Sequence, residues 1–349
     1  MDFTFSEEAR EAATLAADVL AGYTSNEQLR AVEQTGDRHD RQLWAALGEA
    51  GLLGLGVPES HGGAGLGLLE LGRVAAEAGR RVAPVALVDH LAAAYVLAEV
   101  APTSALLESA TTGAAQLSVA IAEPLHALPE RPEVTAQGGI LTGFKTLVRA
   151  ADRAAALLVT ADDGLYLVHP EEVTRQAQHT GDGEQVWLVE FAQTPATRLG
   201  GADARDRLVD VVVALRCAEQ VGRLQGAQRL TAAYARTREQ FGRPIGTFQA
   251  VSQRLADGYI DTLGADLTVW SALWRLEVGL PASAEVAIAA LWAADAGHRV
   301  AHTTVHVHGG VGIDLDGEAH RYFTALKRGE FDLGGVTLQA RRIGALLAG

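Results

Sequence analysis

The spacing of apolar residues changes twice along the chain, and that limits the available folds more than any other feature. In the first third apolar positions recur at helical spacing: Leu43, Trp44, Leu47 and Ala50 share one face, and Gly51 stops that helix. Ser6 caps an earlier helix whose first turn carries Glu7 and Glu8, where negative charge suits the unpaired N–H groups. Residues 54–67 form a turn-rich loop, and helical spacing returns over 68–78 and 83–100. In the middle third the apolar runs are short and β-branched: 118–122, 139–147, 154–160, 164–169 and 186–191. Turn signals such as Asp162-Asp163-Gly164 and Gly181-Asp182-Gly183 separate them. Strands this close leave no room for crossover helices, so the expectation is an antiparallel β-domain.

The last third is helical again. One helix is expected over 208–240, and a second carries the stripe Leu255, Tyr259, Leu263, Leu267, Trp270 and Trp274. Pro281 opens a third through Val286, Ala289, Ala293, Ala296 and Val300. The fold class predicted is α+β: an N-terminal helical domain (1–115), an antiparallel β-domain (116–200) and a C-terminal four-helix-bundle domain (201–349).

Composition narrows function mainly by exclusion. A formal net charge of -14, with no basic run interleaved with aromatics, argues against nucleic acid. The single cysteine, Cys217, forbids a disulfide within the chain and fits a reducing compartment. The segment from Met1 to Glu8 lacks the basic and apolar regions of a signal peptide. Apolar stretches are broken by charges well short of a membrane span, so a cytoplasmic protein is expected.

Three words stand at the seams of this order. Residues 43–52, followed by Val57-Pro58-Glu59 and Gly62-Gly63-Ala64-Gly65, form the first. The second is Arg238-Glu239-Gln240-Phe241-Gly242-Arg243-Pro244-Ile245-Gly246-Thr247-Phe248-Gln249, and the third is His308-Gly309-Gly310-Val311-Gly312. With their order and separations, the chain resembles the acyl-CoA dehydrogenases over nearly its whole length. The resemblance implies an FAD shared across a subunit interface. Arg238 would supply a planar cation to the pyrophosphate, Phe241 would pack against the cofactor, and Gln240 and Gln249 would offer amide groups. His306 stands where the family places a cofactor-contacting residue. Gly309 and Gly310, lacking Cβ, would let the backbone approach the adenosine end.

Other parts of the family pattern fail. The acidic-proline turn survives as Ala122-Glu123-Pro124, but Leu125-His126-Ala127-Leu128-Pro129 lacks the hydroxyls that would bond the flavin. After Gly143-Phe144-Lys145, where the family has a stacking aromatic and a hydroxyl, stand Leu147 and Arg149. α,β-Dehydrogenation also needs a carboxylate base. At the family's two base positions the chain has Leu333, 23 residues after Gly310, and Val212. Glu330 and Glu219 are the nearest carboxylates, and surface or structural roles suit both better.

These losses and retentions imply a chain that keeps the ADP half of an interfacial FAD site and lacks the flavin half. Such a chain is similar to the smaller subunit of the heteromeric α2β2 acyl-CoA dehydrogenases of actinobacterial steroid side-chain breakdown. A larger homologue would then supply the base and the acyl-CoA pocket, with an electron-transfer flavoprotein as acceptor. Two other readings stay open: a self-sufficient homotetramer with a displaced Glu base, and a flavin-free module on the same fold. His298, His302 and His306 recur at i, i+4 and i+8, but no carboxylate on that face completes a metal site. Cys217 reads as a buried inert thiol, and Trp270, Trp274 and Trp292 as core or interface anchors.

Overall fold

The structure, a computed structural model, describes residues 4–348; Met1, Asp2, Phe3 and Gly349 lie outside the described residues, including the first part of the segment read above for a signal peptide. Six helices come first: α1 (Glu7–Ala21), α2 (Asn26–Gln34), α3 (Arg41–Glu49), α4 (Leu68–Arg80), α5 (Leu87–Val100) and α6 (Leu106–Thr111). Ser6 accepts from the Ala9 N–H, as its capping role requires, and Gly51 adopts the left-handed conformation after α3. Residues 83–86, expected as helix, are a connection after Val82, whose φ of 51° ends the preceding turn.

Eight strands follow: β1 (Leu117–Ala120), β2 (Thr135–Gln137), β3 (Ile140–Arg149), β4 (Ala156–Ala161), β5 (Gly164–Val168), β6 (Thr174–His179), β7 (Gln185–Pro195) and β8 (Thr197–Gly200). They form two four-stranded sheets, ordered β1-β4-β5-β8 and β2-β3-β7-β6. All pairs are antiparallel, as expected, except β1 with β4. The long path from β1 through the second sheet's first strands lets β4 return in the same direction as β1. Strands β2, β6 and β8 have no counterpart among the expected strands. In β6, Thr174-Arg175-Gln176-Ala177-Gln178-His179 is an edge strand with little to bury, so no apolar pattern marks it.

β4 shows how the β-domain joins the rest. Leu157 and Val159 point into a core shared with Val189 and Phe191 of the second sheet, while Ala156 and Leu158 enter the main helical core with Leu91 and Leu215. With both faces covered, the strand reads as one continuous apolar run.

The remaining helices are α7 (Ala202–Thr237), α8 (Gln249–Glu277), α9 (Ser283–His308), α10 (Ala319–Asp332) and α11 (Gly335–Ala348), with a hairpin of β9 (Glu239–Gln240) and β10 (Arg243–Pro244) between α7 and α8. α7 ends before the expected residue 240 because the chain turns into this hairpin. Helix α4 lies against α7 with almost no side chain between them. A Cβ on Gly222 would stand 1.9 Å from the Ala76 carbonyl oxygen, and one on Gly79 would stand 1.9 Å from that of Glu219. The glycines are there because the two backbones touch.

His90 in α5 is fully buried and neutral. Its Nδ1 accepts from the Leu117 N–H at 3.0 Å, its Nε2–H donates to the Ala110 carbonyl at 3.2 Å, and Trp44 meets its ring edge-on at 5.0 Å. Burial lowers its pKa to about 4. A proton on Nδ1 would face an N–H donor, so the folded state resists protonation from 6.5 downwards while the unfolded chain accepts it. The stabilisation is therefore full above the unfolded value and drains as pH falls towards the folded one. His90 should cost about 2 kcal/mol of stability between pH 8 and pH 5. His39, lowered to about 4 chiefly by burial and then by Arg153, adds to the same loss. Urea midpoints at the two pH values measure it, and equal midpoints would contradict it.

Candidate functional site

At one end of the bundle several polar and aromatic groups face outward with few partners. Arg238 follows the last turn of α7; its N–H donates to the Tyr234 carbonyl at 2.9 Å and its own carbonyl accepts from the Ile245 N–H at 2.8 Å. The backbone is thus fixed on both sides, whereas the exposed guanidinium makes no hydrogen bond or ion pair among the described residues. Phe241 and Gly242 form the two-residue turn of the hairpin, with φ of 53° and 78°. A phenylalanine in the left-handed region is strained, and this one is 93% exposed. Its ring meets only Phe248, edge-on at 6.1 Å, and Arg243 lies 4.4 Å over Phe248.

Gln249, next to Phe248, opens α8 with its side chain exposed, and the Gln240 amide donates to the Glu239 carbonyl. His306 is exposed on the last turn of α9. Gly309 ends α9 at φ 64° and ψ −141°, a conformation open to glycine almost alone, and a Cβ on Gly309 or Gly310 would meet no atom within 4 Å. All seven expected cofactor residues therefore lie in or beside three consecutive helix ends, and all are exposed.

The other half of the expected site is divided: Leu125, His126, Ala127 and Leu128 line an outer cleft of about 380 Å³ with Phe331, Gly334 and Leu338, and a much smaller space lies behind it. Ala122, Ala127, Thr146 and Leu147, from the two β-domain words, line one cavity together with Arg216 and Asp332, the neighbour of Leu333. That cavity measures only about 20 Å³, against roughly 300–1,000 Å³ for a small-molecule site. Arg149 fixes one wall of this small cavity through Asp332. Its Nη2 donates to Asp332 at 2.5 Å and its Nε to Glu184 at 2.9 Å, with Asp89 4.0 Å away. Arg216 pairs with Asp89 at 2.9 Å and Arg328 with Asp332 at 2.8 Å. Three guanidiniums and three carboxylates thus bind α5, β3, the β6–β7 turn, α7 and α10 together.

The electrostatics fit such a cluster. Burial alone would raise the Asp332 carboxyl, yet Arg149, Arg328 and Arg216 hold it well below the usual carboxylate range. Burial pushes the Glu184 carboxyl up, with Arg149 opposing. For Arg149, burial is outweighed by Asp332, Glu184 and Asp89, which keep it charged. The sequence shows Arg149 as a misfit at a hydroxyl position. Its partners come from three other segments, and no local pattern ties them to it.

Val212 and Leu333 are both fully buried among apolar residues. Glu219 pairs with Arg223 at 2.7 Å and lines another small cavity, of about 40 Å³, with Arg38, Arg149, Asp182 and Glu184. Glu330 is held by Lys327 at 2.5 Å and by His298 Nδ1 at 3.2 Å. Both candidate bases are therefore engaged by cations or histidine, and neither lines the 20 Å³ cavity. The His298–Glu330 contact also shows that a carboxylate does reach the histidine face, from α10. Even so, no group of three His, Cys, Asp or Glu side chains suited to a metal occurs among the described residues. Cys217 is buried, and burial pushes its thiol far up. No described helix is long and apolar enough to cross a membrane.

A helical domain, a β-domain and a helical bundle in this order match the acyl-CoA dehydrogenase fold. Residues 6–110 match the family profile described as acyl-CoA dehydrogenase, N-terminal domain, and residues 212–346 match that of the C-terminal domain. The chain belongs to the acyl-CoA dehydrogenase family. Acyl-CoA dehydrogenase FadE27 of Mycobacterium tuberculosis is 42% identical, with 100% of this chain and 99% of that protein covered. FadE28 of the same organism is 33% identical, with 86% and 91% covered. Among solved structures, the ChsE4-ChsE5 complex from Mycobacterium tuberculosis contains a chain with TM-score 0.93 and 41% identity, covering 100% and 99%. A variant of the Tcur3481-Tcur3483 steroid ACAD gives 0.94 and 37%, covering 98% of each chain. Butyryl-CoA dehydrogenase from Megasphaera elsdenii, at 20% identity and TM-score 0.88, shares the fold.

Proposed function

We propose that this chain is the non-catalytic subunit of a heteromeric, FAD-dependent acyl-CoA dehydrogenase. It contributes the ADP half of an interfacial cofactor site to a larger homologue. One observation carries the reading: at the expected flavin-ring positions Leu147 stands in place of an aromatic and Arg149 is locked to Asp332 and Glu184, while the expected ADP contacts stand exposed. Arg238 would hold the pyrophosphate, Phe241 would cover the cofactor, Gln240, Gln249 and His306 would lie along it, and Gly309-Gly310 would admit the adenosine side. FAD, once bound, supplies the hydride acceptor for α,β-desaturation. The partner supplies the carboxylate base and the acyl-CoA pocket.

An α2β2 assembly acting on a steroid side-chain CoA ester, in the cytoplasm and with an electron-transfer flavoprotein as acceptor, is the form of this reading most in keeping with the complexes it resembles. The outer face of α8 supports a covering partner. Tyr259, Ile260, Leu263, Leu267 and Trp274 are all at least 43% exposed along it, more apolar side chain than one helix face usually gives to water. Trp270 and Trp292 pack inward instead.

The homotetramer reading is weaker, since Glu330 and Glu219 are both tied up in ion pairs. Expression separates the readings. The chain alone should purify folded and colourless, and co-expression with its larger homologue should give a yellow complex with about one flavin per pair of chains. A yellow, active protein from this chain alone would overturn the proposal.

A further inference from the structure

Among side-chain clusters outside the expected contacts, one joins the two separate parts of the exposed end. Tyr234 lies in the last turn of α7, four residues before Arg238, and its ring stacks on His308, the final residue of α9. The centroids are 4.4 Å apart and the planes differ by 22°. The Tyr234 hydroxyl also reaches the His308 carbonyl at 3.5 Å. On one side the Tyr234 carbonyl takes the Arg238 N–H, and on the other His308 leads directly into Gly309. A single aromatic stack thus connects the backbone that aims Arg238 to the glycine pair.

The histidine is itself fixed. Its Nδ1–H donates to the Thr304 carbonyl at 2.8 Å, which leaves the neutral ring free to turn neither way. One turn deeper, the Thr231 hydroxyl lies 3.3 Å from that of Thr304, so α7 and α9 are pinned there too. The Gly309 N–H donates to the Val305 and His306 carbonyls, so the glycine pair follows the end of α9, and the stack on His308 ties that end to α7.

We infer that Tyr234 and His308 form a positioning pair that sets the spacing between Arg238 and the Gly309-Gly310 backbone, and thereby the affinity for the ADP part of FAD. The inference rests on the half-site reading above. Neither ring need touch the cofactor. Their effect passes through the arginine and the glycines, because a phosphate contact tolerates little misplacement.

The test uses the co-expressed complex, stripped of flavin and titrated with FAD. Tyr234→Leu, which removes the ring, should raise the dissociation constant for FAD about tenfold, while Tyr234→Phe, which keeps the stack, should stay within about twofold. At saturating FAD the kcat of the Tyr234→Leu complex should equal that of the unaltered complex, because only cradle spacing has changed. If Tyr234→Leu fails to fold, His308→Asn, which can keep the bond to Thr304 but loses the stack, replaces it with the same expectation. Unchanged affinity in the leucine or asparagine variant, or a phenylalanine variant as weak as the leucine one, would overturn the positioning role. Arg238→Ala in parallel keeps the outcomes separate: if it also leaves FAD binding unchanged the half-site reading falls, and if it weakens binding only the positioning role does.

Discussion

Replacing Arg149 with leucine is expected to lower the stability of the isolated chain by about 3–5 kcal/mol, read from its urea unfolding curve. The magnitude follows from what the substitution leaves behind. Asp332 and Asp89 are buried and Glu184 is half-buried, and all three face the Arg149 guanidinium. Arg216 and Arg328 cannot replace a planar fork that serves two carboxylates at once. Arg149→Lys should recover only part of the loss, since one ammonium cannot span Asp332 and Glu184 in the same geometry. Arg198→Leu is the useful contrast: its pair with Asp163 at 3.7 Å is about half exposed on both sides and should contribute less than about 1 kcal/mol. Acid adds a second signature. Asp332 is depressed in the folded state, so its contribution is present above the ordinary carboxylate pKa near 4 and is lost as pH falls below that value. In the leucine variant this acid loss should shrink, because the cation that causes it is gone. A stability change under 1 kcal/mol would mean that the cluster does not hold the domains together.

The order of domains was legible because spacing and turn signals are local. Leu43, Trp44 and Leu47 announce α3 without help from any other segment, and the stripe from Leu255 to Trp274 announces α8 in the same way. Elements that bury little were not legible. β6 lies at a sheet edge with five polar residues in six, and its pairing with β7 is made by backbone groups that any sequence carries. The parallel pairing of β1 with β4 depends on chain path, not on either strand's residues. For the candidate site, the arginine-hairpin-glycine residues could be found because they occur in compact words. On the expected flavin side the sequence shows only departures from the family pattern, over 125–129 and at Leu147, Arg149, Val212 and Leu333. The ion cluster around Arg149 was not legible: it draws on residues from position 89 to position 332, and only folding brings them together.

Arg238→Ala should weaken FAD binding by the assembled complex about 10- to 100-fold, the loss of one or two charge-assisted hydrogen bonds to a pyrophosphate. The isolated chain should show the same thermal midpoint with or without the substitution, because the guanidinium is exposed and contributes no contact to the fold. This separation between binding and stability makes Arg238 the sharper probe of the two arginines: Arg149 acts within the chain and Arg238 outside it. Arg238→Lys should retain the charge but lose the bidentate geometry, and so fall between alanine and the native residue. Raising ionic strength should weaken FAD binding by the native complex more than by the alanine variant, since screening acts on the charge the variant lacks. Equal flavin content in the native and alanine complexes, measured with FAD below saturation, would leave Arg238 as an ordinary surface cation. The hairpin and its strained Phe241 would then need some other explanation.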